Sequence, residues 1–466
     1  MATATKDLDL YAHLMRRAGF GARLDELEVL ASRPYEDVVE DLLHPENFPD
    51  VEVDVIERFY STGNAGYGPL WWNRMLNSQR QLEEKITLFW HHIFATGQVK
   101  SAHNPSAQAQ IDMFRRLGMG DIRTLLLELS KDPAMIFWLD NNENLTDEPN
   151  ENFGRELLEL FSIGVGNYTE ADVKAAAYAF TGWSLQTPIP GAGSRYGGYH
   201  SKFVFLEDEH DDSDKNFLGE SGNWNGDDIV DIIVKQPAAA RFISRHLYNY
   251  FVADEVSVSG WNEIPPKDPD AINTLMESYL TSDGDLRTIL RTLFNSDFFK
   301  EARFLRVKTP TELVTGIVKL TGEFQDIQID LPRVAGASGA MGQSLMNPLT
   351  VEGWPIGAGW IDGGTLNERV NFAVDEISSA EKPGIRFVID RLAEMGRPLS
   401  PIEFVGECVQ MVRPAPISQE SILGLLHFAE QERELDLSDD SKREINEFRV
   451  LRMLQLIVST REYQLT

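Results

Sequence analysis

Glu84 and His91 stand seven residues apart in the run Glu84-Lys85-Ile86-Thr87-Leu88-Phe89-Trp90-His91-His92. That separation is close to two helical turns, so on a helix both side chains share a face. A carboxylate and an imidazole placed together can bind a metal or move a proton. In that reading His91 is the acid/base or ligand, and Glu84 orients its other ring nitrogen. The same pair also reads as a buried hydrogen bond that holds a core helix. His92 lies about eighty degrees round from that face, at one hundred degrees per residue. There it can cap a carbonyl or face solvent.

A second polar stripe follows. Asn152, Glu156 and Glu159 fall at i, i+4 and i+7, opposite an apolar face of Phe153, Leu157 and Leu160. Two carboxylates one turn apart repel unless a cation, a proton or an arginine lies between them. Helical bundles that hold metals use such inward carboxylates. A solvent face paired with Arg155 has the same pattern, and Glu151 suits the start of a helix dipole. The third cluster, His200 and then His210-Asp211-Asp212-Ser213-Asp214-Lys215, is rich in oxygen donors for calcium or magnesium. It lacks the glycine and closing glutamate of an EF-hand, and solvated turn chemistry gives similar sequences. The candidate metal ligands are therefore His91, Glu156, Glu159, His210 and Asp211, for a divalent cation. Finally, Trp183, Trp224, Trp261, Trp354 and Trp360 lie beside or near glycines. Such rings are either ligand platforms or anchors that pack loops onto helices.

Helices must position these groups. Leu8, Leu10, Tyr11, Leu14 and Met15 fit one apolar helical face. Leu24, Leu27, Val29 and Leu30 suggest a short second helix. A long aromatic-rich pattern runs over 70–96. Further helices are predicted over 106–117, 122–130, 152–163 and 170–180. Thr309-Pro310-Thr311-Glu312 and Ser400-Pro401-Ile402-Glu403 each place a hydroxyl at the N-cap, proline at the first helical position and glutamate two residues on. Three stretches break the pattern: an excursion over 182–226, where Phe203-Val204-Phe205 suggests a strand in a hairpin, and loops over 254–270 and 336–364. The expected fold is mainly α: one large multi-helix unit over 1–466 with a small β element in the irregular insertion.

The chain has 466 residues, 43 Lys+Arg against 73 Asp+Glu, and a net charge of −30. Phosphate backbones and anionic membrane surfaces attract basic proteins, so neither nucleic acid nor a lipid surface is an expected partner. No apolar run is long enough to span a bilayer. A single cysteine, Cys408, excludes a disulfide framework and multi-cysteine metal sites. Cys408 lies in a helical pattern, where buried thiols are inert. No nucleophile elbow, P-loop, His-Glu-x-x-His or clear dinucleotide fingerprint occurs. The Arg16-Arg17 pair is followed by polar Ala22-Arg23-Leu24-Asp25-Glu26 rather than an apolar stretch. It reads as part of a helix, and the chain as written reads as cytoplasmic.

Taken together, these blocks resemble a large bacterial family known as "domain of unknown function 1800". The resemblance runs from His13-Leu14-Met15-Arg16-Arg17-Ala18-Gly19-Phe20-Gly21 through Phe89-Trp90-His91, Lys131-Asp132-Pro133 and Leu139-Asp140-Asn141-Asn142. It continues through Asn150–Phe161, Thr181-Gly182-Trp183, His210-Asp211 and Gly353-Trp354-Pro355 to Arg369 and Asn371-Phe372. It implies a large, mainly helical protein. It also implies export in many members and a sulfatase- or alkaline-phosphatase-like partner. Where the family usually reads Trp-His-x-His-Phe, this chain has Trp90-His91-His92-Ile93-Phe94.

Two functional expectations follow. In the first, the chain is a hydrolytic or metal-assisted enzyme whose pocket lies between the Glu84/His91 helix and the Asn152/Glu156 helix, roofed by the His210 loop. His91, Glu84, Glu156 and Asn152 are its catalytic candidates. In the second, the same groups form a buried network, and the tryptophan loops of a non-catalytic protein dock a partner or a glycan.

Overall fold

The computed structural model describes residues 2–53, 56, 68–101, 104–186, 201–324, 330–413, 415–431, 434–438 and 441–466. His200 lies outside the described residues. Among the described residues helices dominate, and the strands form two small antiparallel pairs. In the first pair β1 (Trp183–Gln186) lies against β2 (Lys202–Phe205), with Trp183 opposite Phe205. In the second, β3 (Lys215–Phe217) lies against β4 (Glu220–Gly222). The expected β element is present, with Phe203-Val204-Phe205 in the first pair, and a second pair accompanies it. The loop expected over 336–364 begins inside the helix Leu331–Ala340 and is interrupted by the short turn Gly357–Trp360. Buried apolar side chains form one cluster that reaches from Tyr11 to Tyr463. Among the described residues, no helix is long and apolar enough to cross a membrane.

The long pattern over 70–96 divides into the helices Gly68–Asn77 and Gln81–Ile93. The backbone breaks where Ser78 Oγ accepts from the Arg80 N–H at 2.9 Å, a local bond that competes with helix continuation. Gln81–Ile93 is buried on nearly every side. Asn104–Leu117 packs against it, and Gly118 permits that approach. A Cβ at Gly118 would lie 2.9 Å from the Trp90 ring. Trp90 Nε1 instead donates to the Gly118 carbonyl at 2.9 Å.

Both predicted capping boxes form, at Thr309 with Glu312 and at Ser400 with Glu403. Glu312 does more than cap. Its second oxygen takes the Lys85 ammonium and lies 3.7 Å from both Arg17 and Arg306. Burial works to raise its pKa, and the three cations outweigh that, holding it ionised well below the usual carboxylate range. Arg306 also pairs with Asp254 at 3.1 Å. This cluster ties the N-terminal helix Ala2–Arg17, the Gln81–Ile93 helix and the helix Pro310–Thr321 together at one buried point. The Arg16-Arg17 pair ends the first helix, and Arg17 is fully buried, donating to the Phe251 carbonyl at 3.0 Å. Cys408 is buried, and burial raises its pKa, which keeps the thiol protonated.

Candidate functional site

The Gln81–Ile93 helix turns Glu84 and His91 to different partners. Glu84 is fully buried and grips Arg115 with both oxygens, at 2.8 Å to Nε and 3.2 Å to Nη2. The expected orientation of His91 by Glu84 is therefore corrected. Arg115 comes from the neighbouring Asn104–Leu117 helix, and a bidentate guanidinium is the stronger partner for a buried carboxylate. His91 is 1% exposed and sits edge-on between Trp71 and Trp354, with ring centroids 5.4 and 5.1 Å away. Its Nε2 accepts from the backbone N–H of Met346 at 2.9 Å. An acceptor nitrogen carries no proton, so the neutral ring holds its proton on Nδ1, which has no partner. Burial, with His92 beside it, pushes the pKa down to about 3.

His92, one step round the helix, reaches a cavity. About 280 Å³ is enclosed by His92, Leu160, His246, Val258, Glu352, Trp354 and their neighbours. The wall is thus shared by the two helices singled out from the sequence, with a third, Pro237–Phe251, supplying His246. His92 lies nearly parallel to Trp354, at 11° and 6.1 Å between centroids. Burial and the charge of Arg306 lower its pKa to about 4. His246 is held between Phe242 and Trp261, each 4.5 Å away between centroids. Its Nε2 is buried without a hydrogen-bond partner. Burial, then His92, push its pKa down to about 3. Gly353 closes the wall in a conformation that suits glycine, with φ +88°, and a Cβ there would lie 2.4 Å from the His92 carbonyl oxygen.

The predicted helix over 152–163 is α-helical only over Asn152–Glu156. From Leu157 to Ser162 it widens into a π-helix. Ser162 Oγ donates five residues back to the Leu157 carbonyl at 2.5 Å, and the Ile163 N–H reaches the Leu158 carbonyl at 3.2 Å. Such widened turns recur at functional sites. Here the turn carries Leu160 into the cavity wall. Glu156 is half-buried. Desolvation, then Glu159, and also Glu352 on the cavity rim raise its pKa to about 7.

The remaining candidates lie elsewhere. Asn152 is exposed, and its backbone N–H bonds Asn150 Oδ1 at 2.9 Å. Glu159 accepts from the Tyr168 hydroxyl at 2.9 Å. His210 Nδ1 sits 2.9 Å from the Thr181 carbonyl, and its ring meets Phe205 edge-on. Asp211 pairs with Lys215 at 3.1 Å. Among the described residues, no group of three or more His, Cys, Asp and Glu is arranged to hold a metal ion. His91, Glu159, His210 and Asp211 each answer to a separate local partner.

His246 and Glu352 were not singled out from the sequence. His246 sits in the helical run Arg245-His246-Leu247, which looks like any core helix. Glu352 stands just before Gly353-Trp354-Pro355, so its signal was the aromatic loop beside it. Trp183, Trp354 and Trp360 are 2%, 5% and 3% exposed, which makes them packing anchors rather than open platforms.

The fold and this cavity define a class: a mainly helical protein in which two imidazoles, His92 and His246, and the Glu352 carboxylate line a cavity where three helices meet a tryptophan loop. The model of the family described as "Protein of unknown function (DUF1800)" matches residues 13–465, and the chain belongs to that family. Neither the curated proteins nor the solved structures gave a match.

Proposed function

We propose that the His92 cavity is the active site of a hydrolytic enzyme, with His92 as general base and Glu156 as general acid. One observation carries this reading. An imidazole that stays neutral lines the cavity beside Glu352, and Glu156, whose carboxyl stays protonated up to about 7, feels the charge of Glu352 from the helix that brings Leu160 to the same wall. Titratable groups whose surroundings push their pKa values apart are the usual basis of acid/base assignment. In the reaction, His92 takes a proton from water as its oxygen bonds the electrophilic centre. Glu156 gives its proton to the departing group. His246, with its unpartnered Nε2, faces the same space and is placed to hold the substrate. Trp354 and Leu160 supply apolar walls.

The test is turnover of chromogenic esters, phosphoesters and glycosides by the wild-type protein, by His92→Gln and by Glu156→Gln. Both variants are expected to lose about 10²- to 10⁴-fold in rate while melting as the wild type does. Full activity in both sinks the reading. Metal analysis of the purified protein separates its metal-free and metal-assisted forms.

A second reading has its own observation. Leu349 at the cavity rim and Val99 are 72% and 80% exposed, and the Val99 N–H donates to Asn347 at 3.0 Å. An apolar rim of this kind fits a protein partner, and the resemblance points to a sulfatase- or phosphatase-like one. If wild-type protein turns over none of the substrates and Leu349→Asp abolishes capture of such a partner, the interaction reading replaces the enzyme.

A further inference from the structure

The N-terminal helix, the Pro310–Thr321 helix and the segments around Met411–Arg413 and Tyr463 enclose a second cavity, of about 70 Å³. At 10–15 Å³ for each water-sized probe, that is room for roughly five waters, or one tetrahedral oxyanion. Four cationic side chains line it: Arg16, Lys308, Lys319 and Arg413. Among the described residues of the lining, Glu312 is the one acidic side chain, and it is already shared among Lys85, Arg17 and Arg306.

The other bonds of these cations are mostly to neutral atoms. Lys308 Nζ donates to the Tyr463 carbonyl at 2.7 Å, and Lys319 Nζ to Gln81 Oε1 at 2.9 Å. Arg16 makes a long 3.5 Å bond to the Arg413 carbonyl and lies over the Phe304 ring, 4.8 Å to its centroid, while its Nε is buried without a partner. Arg413 pairs with Asp9, but its Nε is also buried and unpartnered. Burial, assisted by Arg413, lowers Arg16 to about 10. Burial lowers Lys319 to about 8 and, with repulsion from Arg16 and Arg369, takes Lys308 well below the lysine range. Partly shielded cations that outnumber their counter-charges are costly unless an anion joins them. That they converge in a chain of net charge −30 makes the local excess specific to this place.

We propose that this cavity binds a phosphate- or sulfate-type oxyanion, held by Arg16, Lys308, Lys319 and Arg413. Gly21, Ala22 and Lys319 also line an adjoining cavity of about 620 Å³. The oxyanion is therefore either a free ion or the charged end of a larger ligand whose body lies there. This assignment is independent of the His92 cavity.

Calorimetric titration of the full chain with inorganic phosphate, inorganic sulfate and glucose 6-phosphate tests it. The wild type is expected to bind at least one of them and to melt higher in its presence. Lys308→Met and Arg413→Gln are each expected to weaken binding about tenfold or more, the cost of one lost charged contact. Arg391→Gln, which breaks only an exposed pair with Glu28, is expected to leave it unchanged. Tighter binding of the sugar phosphate identifies a ligand that extends into the larger cavity, and tighter or equal binding of the inorganic ions identifies a free ion. Absence of binding by all three probes overturns the proposal, as does an equal rise in melting temperature with potassium chloride at matched ionic strength. The wild-type titration decides this even where a variant does not fold.

Discussion

The backbone N–H of Met346 donates to His91 Nε2 at 2.9 Å, across 255 positions of chain. That bond uses the lone pair a base or a metal ligand would need, and it pins the loop that carries Trp354. His91 is thus a clamp, while its neighbour His92 meets the cavity. Replacing His91 by Ala removes a buried ring and orphans the Met346 N–H. The expected loss is about 3–5 kcal/mol, as for other buried rings. His91→Phe keeps the volume and orphans only the N–H, for about 1–3 kcal/mol. Urea unfolding at pH 7 measures both, and a loss well under 1 kcal/mol in each would remove the clamp.

The same histidine makes stability depend on pH. Its folded pKa, about 3, lies below its unfolded value, so the unfolded chain binds the extra proton between them. Stability from this group is complete above about pH 6.5 and falls as pH drops towards 3, by about 1.4 kcal/mol per unit. His246, lowered to about 3 by burial, acts in the same direction. Glu156 acts in the opposite one: its folded pKa is raised, so its contribution is lost as pH rises towards 7. Between pH 7 and pH 5, the destabilisation caused by His91→Phe is expected to shrink by about 2 kcal/mol. Unfolding midpoints at the two pH values give the result, and an unchanged difference contradicts it.

Glu84 and Arg115 form a buried bidentate pair, with Glu84 fully shielded and the Arg115 side chain 9% exposed. Removing one partner strands the other. Glu84→Gln is expected to cost about 3–5 kcal/mol, and Glu84→Leu with Arg115→Met to recover most of it. A double-mutant cycle is the measurement, and additive losses would show that the two groups do not act as a pair.

The proposed acid and base predict a bell-shaped pH profile. His92 must be neutral, which holds above about 4, and Glu156 must be protonated, which holds below about 7. kcat/KM on any substrate turned over is expected to rise and fall with those limbs, and Glu156→Gln to lose the alkaline one. Because Glu156 is a carboxyl under repulsion, Glu156→Gln should fold as well as the wild type or better. A variant that melts far lower instead places Glu156 in the packing.

Much of the framework was legible in the residues. The capping boxes at Thr309 and Ser400, the helix Ile122–Ser130 and the buried Cys408 follow from local rules, because a helix start or an apolar face is decided by neighbours in sequence. Periodicity also put Glu84, His91, Glu156 and Glu159 on the right helices. It could not choose among their partners. Arg115 for Glu84, Met346 for His91, Tyr168 for Glu159 and Thr181 for His210 arrive from other elements, and which of them arrives depends on how helices pack. The widening at Leu157–Ser162, which brings Leu160 to the cavity, has no periodic signature. Sequence determined the elements and their polar stripes, because those rest on bonds within a few residues. Tertiary structure alone decided that His92 and His246 meet at a cavity while His91 is sealed, because burial and hydrogen-bond partners are set by contacts far apart along the chain.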